Sequence, residues 1–465
     1  MTAPSRELAE FVAAAAQRDL PSVALADAHR AVLDWLGSAM AGSLEPPARM
    51  AQRVVARLGS STEATVFAAG RASAAGAALA NGVASHILEL DDVHRASTLH
   101  AGAPVISAAL AVAERVHADG NAFLRAVTLG YEAALRVGEA VNPSHYRFWH
   151  PTGTAATFGA AAAAGSLIGL SSRQMLDAFG TAGTQAAGLW EFNADGSMSK
   201  FLHPGKAAFN GILAADLACE GFTGASRILE GDRGFFRAMS ESHDASRVTD
   251  GLGSRWKISE NCYKVWACCA HTHTAVDVVR QFRAQRGWRE REAVSAIRAI
   301  DVETYATGYA IVGEMNPTTP YAAKFSLAYA VAVALLFDGP TLNAFPDERF
   351  GARGVTESDI AALLGRTTVR VADDLTARYP SAWPTRVRVT LADGTVLNGA
   401  ADFPVGNPEN PVSTEHLKQK FNALVAPRCG DDIAAHAIGV VDSLGECADI
   451  STAFSELGAL RAAAR

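Results

Sequence analysis

Ala and Leu recur at helical spacing from the N-terminus to about residue 240, and this long pattern limits the possible folds more than any other feature. Apolar residues return every three or four positions, and Gly, Pro and short polar turns divide the pattern into segments. Many apolar faces carry Ala or Gly instead of Leu, and such small residues let two helix backbones approach closely. This half of the chain is predicted to form packed helices with little or no sheet.

The pattern changes near residue 295, where β-branched residues alternate with polar ones in AIRAIDVETY and TRVRVTLADGTVLNGAADF. Alternation with a period of two is typical of strands, and Asp393-Gly394 between two such runs predicts a hairpin turn. Helical spacing returns after PVGNPENPVS, and 465 residues are more than a single core usually holds. We therefore predict a mainly α fold, with a large all-helical domain from 1–271 and 405–465 and a smaller α/β domain over 272–404.

Charge and hydropathy exclude several classes of protein. The formal net charge is −7 with acidic and basic residues interspersed, so the sequence lacks the basic stripe of a nucleic-acid or anionic-membrane surface. Charges run through the position of a signal peptide's apolar segment, and no later stretch is long and apolar enough to span a bilayer. A cytoplasmic protein with no nucleic-acid partner and no membrane partner is predicted. Six sparse cysteines are predicted to be reduced thiols.

Four polar segments, which we call polar islands, interrupt the apolar pattern of the sequence. The first runs from His86 to His94 and is followed by His100. On a continuing helix, Glu89 would neighbour both His86 and Asp92 at a spacing of three. Such a density of acids and imidazoles at the end of an apolar helix favours a binding or catalytic site over a solvated face. His86 and His94 are equally well explained as satisfied helix histidines and are not assigned to the site.

The second island contains Tyr146 and His150 before an Ala-rich helix. The hydroxyl of Thr152 is positioned to cap that helix. His150 would then stand just before a helix N-terminus, where anions are favoured. His145 is interpreted as a surface residue.

The third island places Lys200 and His203 beside a Pro-Gly turn at Gly205, directly before the helix that begins AAFNGILAADLACE. A Lys and a His three residues apart at a helix start form a suitable cradle for a carboxylate. Lys206 is equally well explained as a solvated residue in the first helical turn. No glycine-rich dinucleotide fingerprint or phosphate-binding loop is present in the sequence, so a nucleotide cofactor is not expected.

The fourth island, Lys264 to His273, again opens a helix and contains His271 and the adjacent thiols Cys268-Cys269. Cysteine and histidine are zinc ligands, but adjacent cysteines lack the spacing of zinc motifs and no second pair appears. Buried thiols and an anion site at a helix start explain the segment without a metal. No metal ion is predicted.

The order and spacing of these segments resemble the MmgE/PrpD family over nearly the whole chain. The resemblance is carried by the runs NGVASHILELDD, HPTGTAATFGAAAAA, SKFLHPGKAAFNGILAADLACEGFTG, KVWACCAHTH and PVGNPENP. Relatives include 2-methylcitrate dehydratases, cis-aconitate decarboxylases and iminodisuccinate epimerase. The resemblance implies a helical domain, a smaller lid domain, a homodimer and a cofactor-free site between the domains for a small anionic polycarboxylate.

The islands and the resemblance together predict one set of site residues. The predicted catalytic residues are Lys200, His100, His150, His271, His273, Tyr146, Glu89 and Asp92, and the predicted substrate-binding residues are His203, Gly205 and Lys264. Removing a proton next to a carboxylate leaves a doubly negative intermediate, so such a site needs positive groups and a tuned base. Lys200 and one of His271 and His273 would stabilise charge and transfer the proton, and the other residues would donate hydrogen bonds, orient imidazoles or act as the opposing acid.

The predicted function is a cofactor-independent lyase that acts on a small di- or tricarboxylic acid, with 2-methylcitrate dehydration as the leading reaction. Epimerisation of an imino- or amino-dicarboxylate, cis-aconitate-type decarboxylation and binding without turnover are the alternatives. Family members that dehydrate or decarboxylate usually read Asp-Phe-Asp-Asp-Thr where this chain reads Glu89-Leu-Asp-Asp-Val93. If the missing hydroxyl normally holds a leaving group, its loss favours another acid or epimerisation.

Overall fold

The computed structural model describes residues 3–289 and 291–459, and these residues form two compact units. The helical unit takes in the described residues of Met1–Ile87, Asp91–Cys262 and Ser413–Arg465. The mixed unit takes in the described residues of Leu88–Leu90 and Tyr263–Val412.

Helices make up most of the described chain. In chain order they are α1 (Pro4–Ala15), α2 (Ser22–Gly42), α3 (Pro46–Leu58), α4 (Ala74–His86), α5 (Gly102–Arg115), α6 (Gly120–Val141), α7 (Ala155–Leu167), α8 (Ser172–Gly183), α9 (Phe192–Asp195), α10 (Ser199–Cys219), α11 (Phe235–Met239), α12 (His273–Arg286), α13 (Glu292–Ala296), α14 (Ala306–Val312), α15 (Pro320–Lys324), α16 (Leu327–Phe337), α17 (Ser358–Leu364), α18 (Asp373–Thr376), α19 (Thr414–Cys429), α20 (Asp431–Asp442) and α21 (Ile450–Ser455). The strands are β1 (Ala64–Val66), β2 (Gly70–Ala72), β3 (Ile297–Thr304), β4 (Phe350–Gly351), β5 (Gly354–Val355), β6 (Thr367–Val371), β7 (Thr385–Leu391) and β8 (Val396–Ala401).

Small residues determine how the helices of the helical unit pack. The first eleven residues of α7, all Ala, Gly, Thr or Phe, are buried. A Cβ added to Gly159 would lie 2.5 Å from the carbonyl oxygen of Gly130 and 2.6 Å from Ala134 Cβ. The contact between α6 and α7 therefore has no room for a side chain, because protein interiors are close-packed. This close approach confirms the prediction from the Ala- and Gly-rich faces.

The mixed unit contains a four-stranded sheet with the order β6-β3-β7-β8. β3 pairs with β6 in parallel and with β7 antiparallel, and β7 pairs with β8 antiparallel. Gly394 in the β7–β8 connection has a φ of +87°, which favours glycine and confirms the predicted hairpin at Asp393-Gly394. The mainly α fold class with a small α/β part is confirmed.

Helices α12 and α16 supply the apolar packing of the mixed unit. A Cβ on Gly399 of β8 would lie 2.7 Å from Val278 and 2.9 Å from Phe282, so α12 packs directly on the sheet. The first ten residues of α16 are buried. Among the described residues, no single helix is long and apolar enough to cross a membrane, although the bent pair Leu327–Phe337 and Leu342–Arg349 reaches that length and composition when taken together.

Candidate active site

The segment that follows α4 carries acids and imidazoles into the interior of the helical unit. His86 ends α4, and its Nδ1 donates a hydrogen bond to Asp91 Oδ2 at 2.7 Å. His100 Nδ1 lies 3.4 Å from the same oxygen and donates to the backbone carbonyl of Asp92 at 2.6 Å. Because a carbonyl oxygen only accepts, neutral His100 keeps its proton on Nδ1 and its lone pair on Nε2.

Asp92 has its carboxylate turned away from these imidazoles. The N–H of Gly102 donates to Oδ1 at 3.0 Å, and Tyr131 and Asn261 donate to Oδ2 at 2.7 and 2.8 Å. Burial raises the pKa of Asp92 to about 7, against the opposing effect of the hydrogen bonds from Tyr131 and Asn261. Asp92 thus fixes the start of α5, and the neighbouring Asp91 is the residue that presents its carboxylate to the imidazoles.

Four imidazoles meet in the helical unit, and we call them the imidazole cluster: His86, His100, His150 and His203. The ring centre of His86 lies 4.9 Å from that of His100 and 5.7 Å from that of His150. His150 Nδ1 lies 3.0 Å from His203 Nδ1. Burial is the largest cause that lowers the pKa of His150 well below its usual value and that of His203 to about 3, and the charge of Lys200 contributes to both shifts. His150 and His203 are therefore neutral at physiological pH.

An aromatic wall covers one side of the cluster. The ring centre of Trp190 lies 5.1 Å from that of His150, and that of Phe192 lies 5.9 Å from it. Tyr146, a predicted catalytic residue, packs edge-on against Trp190 with ring centres 5.0 Å apart. Trp190 and Phe192 escaped the sequence reasoning, although they lie between the second and third polar islands.

Lys200 and His203 lie inside a helix, so the prediction that they precede it beside a Pro-Gly turn was wrong. α10 begins at Ser199 and contains Pro204. The ring of Pro204 removes only the hydrogen bond to the residue four positions earlier, which is close to the helix start. A Cβ on Gly205 would lie 2.3 Å from the carbonyl oxygen of Leu79 in α4. Gly205, predicted to bind substrate, thus has a packing role that brings α10 against the helix that ends in His86.

Two further expectations for the second island were wrong. α7 begins directly after Thr154, and no side chain caps it; Thr152 Oγ1 instead accepts a hydrogen bond from the backbone N–H of His100 at 3.1 Å. His145 is 0% exposed, and it bonds through Nδ1 to the carbonyl of Met239 and through Nε2 to Thr154 Oγ1. The loop therefore folds inward, because these polar groups find partners within the protein.

Lys206 is more deeply involved in the structure than a solvated lysine. Its Nζ donates to the carbonyl oxygens of Gly153 at 3.0 Å and Ala187 at 2.7 Å. Burial lowers its pKa to about 8. Lys206 therefore ties α10 to the two loops that flank His150.

In the mixed unit, Glu89 and Lys264 form a buried pair. Glu89 has a φ of +58°, a left-handed conformation that is unfavourable by about 1–2 kcal/mol for residues other than Gly. Its Oε2 lies 3.6 Å from Lys264 Nζ, and both side chains are 2% exposed. Residues held in such conformations cluster at functional sites. Glu89 does not continue α4, which ends at His86, so the predicted helical spacing of the first island was wrong.

His271 and His273, also in the mixed unit, have different partners. His271 Nδ1 is hydrogen-bonded to the hydroxyl of Tyr305. Burial, with a smaller contribution from the charge of Lys264, lowers the pKa of His271 to about 3. His273 Nε2 donates to the backbone carbonyl of Cys268 at 3.2 Å. His271 thus shares its surroundings with Lys264, and Tyr305, which directly follows β3, is a neighbour that the sequence reasoning missed.

Two groups of side chains in the described chain have the spacing that a metal ion needs. His86, Asp91 and His100 present donor atoms within 4.8 Å of one another. Cys268 belongs to neither group, and burial raises the pKa of its thiol to about 12, which disfavours a metal-binding thiolate. The sequence-based expectation of no metal stays a prediction.

The second group, His94, Glu139 and Glu260, already encloses a cation. Lys257 Nζ lies 2.7 Å from Glu139 Oε1 and 3.0 Å from Glu260 Oε2. His94 Nε2 lies 3.6 Å from each of these two acids. This network anchors the loop between His94 and His100. His94 pairs with Leu99 in an isolated β-bridge, so it is not a helix histidine, although its ring has partners within the protein.

Histidine titration followed by NMR should find four rings neutral far below pH 6.5. Burial lowers the pKa of His145 to about 4 and those of His203 and His271 to about 3, and it lowers that of His150 strongly. Because desolvation disfavours the charged form, we expect their ring ¹⁵N shifts to keep neutral values from pH 8 down to pH 5. Midpoints near 6.5 in spectra assigned with single-histidine variants would contradict the burial described here.

Comparison with known proteins is consistent with this arrangement. The family model of the MmgE/PrpD N-terminal domain matches residues 6–248, and that of the MmgE/PrpD C-terminal domain matches residues 266–446. Cis-aconitate decarboxylase-like protein oryM of Aspergillus oryzae is 26% identical over 96% of this chain and 95% of its own length. Cis-aconitate decarboxylase of Homo sapiens is 27% identical over 91% and 88%. A shorter match, 25% identical over 40% and 38%, is to 2-methylcitrate dehydratase-like protein oryR of Aspergillus oryzae. The chain belongs to the MmgE/PrpD family.

Proposed function

We propose that this protein is a cofactor-independent acid–base lyase that acts on a small di- or tricarboxylic acid. The observation that carries the proposal is the imidazole cluster, in which buried neutral rings lie near the ammonium of Lys200. Neutral imidazoles can take up a proton, and a buried ammonium stabilises negative charge strongly because little water screens it. The names of the relatives, decarboxylase and dehydratase, support a lyase.

Decarboxylation of cis-aconitate is the first reaction to test, because the relatives that match almost end to end bear that name. Loss of carbon dioxide from an unsaturated tricarboxylate leaves an electron pair delocalised toward the remaining carboxylates. Dehydration of 2-methylcitrate, the leading prediction from the sequence, passes through similar charge when a base removes the proton next to a carboxylate. Both reactions need a proton-transfer group and a cation at the same centre.

In this proposal Lys200 stabilises the developing negative charge, and rings of the imidazole cluster transfer the proton. His100 is suited to transfer because its Nδ1 proton is committed to the Asp92 carbonyl, which places the lone pair of the neutral ring on Nε2. Lys264 and His271 are proposed to bind carboxylate and to donate a hydrogen bond, and Glu89 to keep Lys264 in place. His273 and Tyr146 remain predicted site residues.

Proton NMR in deuterium oxide tests the function directly. Wild-type protein is incubated with cis-aconitate, 2-methylcitrate, citrate, tartrate and iminodisuccinate in turn. A decarboxylase should produce an alkene that carries one solvent deuteron, and a dehydratase should produce an alkene with loss of the proton next to the carboxylate. If the spectra of all five acids stay unchanged with protein shown to be folded by circular dichroism, the proposed function is contradicted.

The same spectra separate the second candidate, an epimerase. Epimerisation would exchange the proton next to the carboxylate for deuterium without an alkene or a loss of mass from the carbon skeleton. Val93, which stands where related lyases have a Thr hydroxyl, is the residue that favours this alternative; its side chain is 5% exposed. Rapid dehydration of 2-methylcitrate would contradict the hypothesis that loss of this hydroxyl disfavours that reaction.

Three further expectations from the sequence stay proposals. They are the domain boundaries (1–271 with 405–465, and 272–404), the homodimer and the cytoplasmic location. Exposed apolar side chains on and beside α10 support an interface on the helical unit: Met198, Leu202, Leu213 and Phe222 are each at least 38% exposed.

A further inference from the structure

His86 is a buried histidine that the sequence reasoning left outside the site. Its side chain is 0% exposed. Nδ1 is hydrogen-bonded to Asp91 Oδ2 at 2.7 Å, whereas Nε2 has no hydrogen-bond partner among the described residues. Native proteins leave few buried polar atoms unpaired, since such atoms lose their hydration without compensation. A purely structural histidine, such as His145, has both ring nitrogens bonded within the protein.

The surroundings of His86 place its unpaired nitrogen among the groups that the proposed function uses. The ring centres of His100 and His150 lie 4.9 Å and 5.7 Å away. The charge of His86 also lowers the pKa of both His150 and His203, so His86 acts on each of them electrostatically. The ring is held at the end of α4, a capped and packed helix, and therefore has little freedom to move.

Asp91 gives His86 a property that its neighbours lack. The carboxylate accepts the Nδ1 proton, which fixes the lone pair on Nε2 and stabilises the imidazolium that forms when Nε2 takes up a proton. His150 and His203 instead face each other at 3.0 Å, where a charge on one ring disfavours a charge on the other. His100 gives its Nδ1 proton to the Asp92 carbonyl, and its distance to Asp91 is longer, 3.4 Å. Within the imidazole cluster, His86 is the ring that makes the closest contact with a carboxylate.

We propose that His86 is a further catalytic residue, whose Nε2 exchanges a proton with the substrate while Asp91 positions its ring. The proposal rests on the proposed lyase function. In decarboxylation, the bond between the substrate carbon and the departing carboxylate breaks, and carbon dioxide leaves. The electron pair of that bond stays on the substrate and shifts the double bond, so that negative charge develops on the far carbon of the original double bond. That carbon takes the proton from Nε2, and the neutral ring regains a proton from solvent. In dehydration, neutral Nε2 takes the proton next to the carboxylate, and a second acid protonates the departing hydroxyl.

The test uses His86→Asn, because the Asn amide preserves a donor toward Asp91 and removes Nε2. Turnover should fall about 10²- to 10⁴-fold, the usual contribution of a proton-transfer group, with KM changed less than about threefold. The melting temperature should stay within a few degrees of wild type, since the variant keeps the hydrogen bond to Asp91. Free imidazole should restore part of the turnover of His86→Gly, which leaves space for it.

His145→Asn is the matched control, because His145 is equally buried but fully hydrogen-bonded. We expect it to lower the melting temperature and to keep turnover within about tenfold of wild type. Near-normal turnover by His86→Asn would overturn the inference while leaving the proposed function intact. A structural role for His86 would be indicated, and the inference overturned, if His86→Asn lost turnover and melted at a clearly lower temperature while imidazole failed to restore turnover to His86→Gly. A wild-type protein inactive across the acid panel would overturn the proposed function and this inference with it.

Discussion

Replacing Lys200 with Met is expected to lower turnover about 10³-fold without unfolding the protein. Lys200 is the second residue of α10, and its side chain is 2% exposed. Its ammonium therefore lies at the N-terminus of a long helix, where the helix dipole is positive. Removing one preorganised group that stabilises developing negative charge typically slows an enzyme 10²- to 10³-fold or more. Steady-state kinetics on the acid that the NMR panel identifies would measure the loss.

A second effect of Lys200→Met follows from the electrostatics of the imidazole cluster. The positive charge of Lys200 lowers the pKa of both His150 and His203. Removing that charge should therefore raise both pKa values, although burial, the larger cause, will keep them below 6.5. ¹⁵N titration of the two rings would detect the upward shift. Lys200→Arg, which keeps the charge but changes its geometry, should leave the two pKa values low while turnover remains impaired.

Lys206→Met is the matched control, because Lys206 lies on the same helix and is partly buried, whereas Lys200 is buried. Its Nζ is occupied by backbone carbonyls, including those of Gly153 and Ala187. We expect this variant to lower the melting temperature while turnover stays within about tenfold of wild type. Equal losses of turnover in the two variants would show that disturbing α10, rather than removing the Lys200 charge, causes the effect.

The structure brings several of the predicted site residues close together, although the helical spacing predicted for the first island was wrong. The predicted site residues include His100, His150 and His203, and the structure brings these three imidazoles together with His86. Spacing arguments on the first island failed because α4 ends at His86. Beyond that residue the chain has no helical period, so sequence separation no longer tells which of Asp91 and Asp92 faces the imidazoles.

Contacts between residues that are far apart in the chain could not be predicted from one sequence alone. Tyr305 is 34 residues from His271, and Trp190 is 40 residues from His150. Such contacts depend on how packed elements cross, whereas periodicity reports only which face of one element is apolar. The Ala- and Gly-rich sequence did predict the close packing of α6 and α7. Small residues on a helix face allow close approach by themselves, so the composition of the segment is enough to indicate it.

The largest effect on stability is expected from Arg136→Met, which removes a fully buried cation from α6. Arg136 Nε donates to Glu132 Oε2 at 2.6 Å, and both side chains are 0% exposed. Its guanidinium also donates to the backbone carbonyls of Asp250 at 2.7 Å and Arg255 at 2.8 Å. Burial already raises the pKa of Glu132, with Arg136 as the leading opposing influence. Without Arg136 that carboxylate loses its guanidinium partner and keeps the backbone N–H of Lys257 as a donor.

Breaking a buried pair by removing one partner typically destabilises a protein by about 3–5 kcal/mol. We expect Arg136→Met to lower the free energy of unfolding by about that amount, measured by urea denaturation. Arg173→Met is the matched control, since Arg173 also pairs with an acid four residues away, Asp177, but is 63% exposed. Screening by solvent limits such exposed pairs to about 1 kcal/mol or less.

A double variant separates the buried charge from the lost backbone hydrogen bonds. Arg136→Met combined with Glu132→Gln removes the uncompensated carboxylate but leaves the carbonyls of Asp250 and Arg255 without their donor. If the unpaired charge dominates, the double variant should be more stable than Arg136→Met alone. If the two are equally destabilised, the guanidinium acts mainly as the clamp that joins α6 to the loop preceding Lys257 and Asn261. In that case Asp92, which accepts from Asn261, should lose its fixed position as well, and the position of His100 would depend on Arg136 through that chain of contacts.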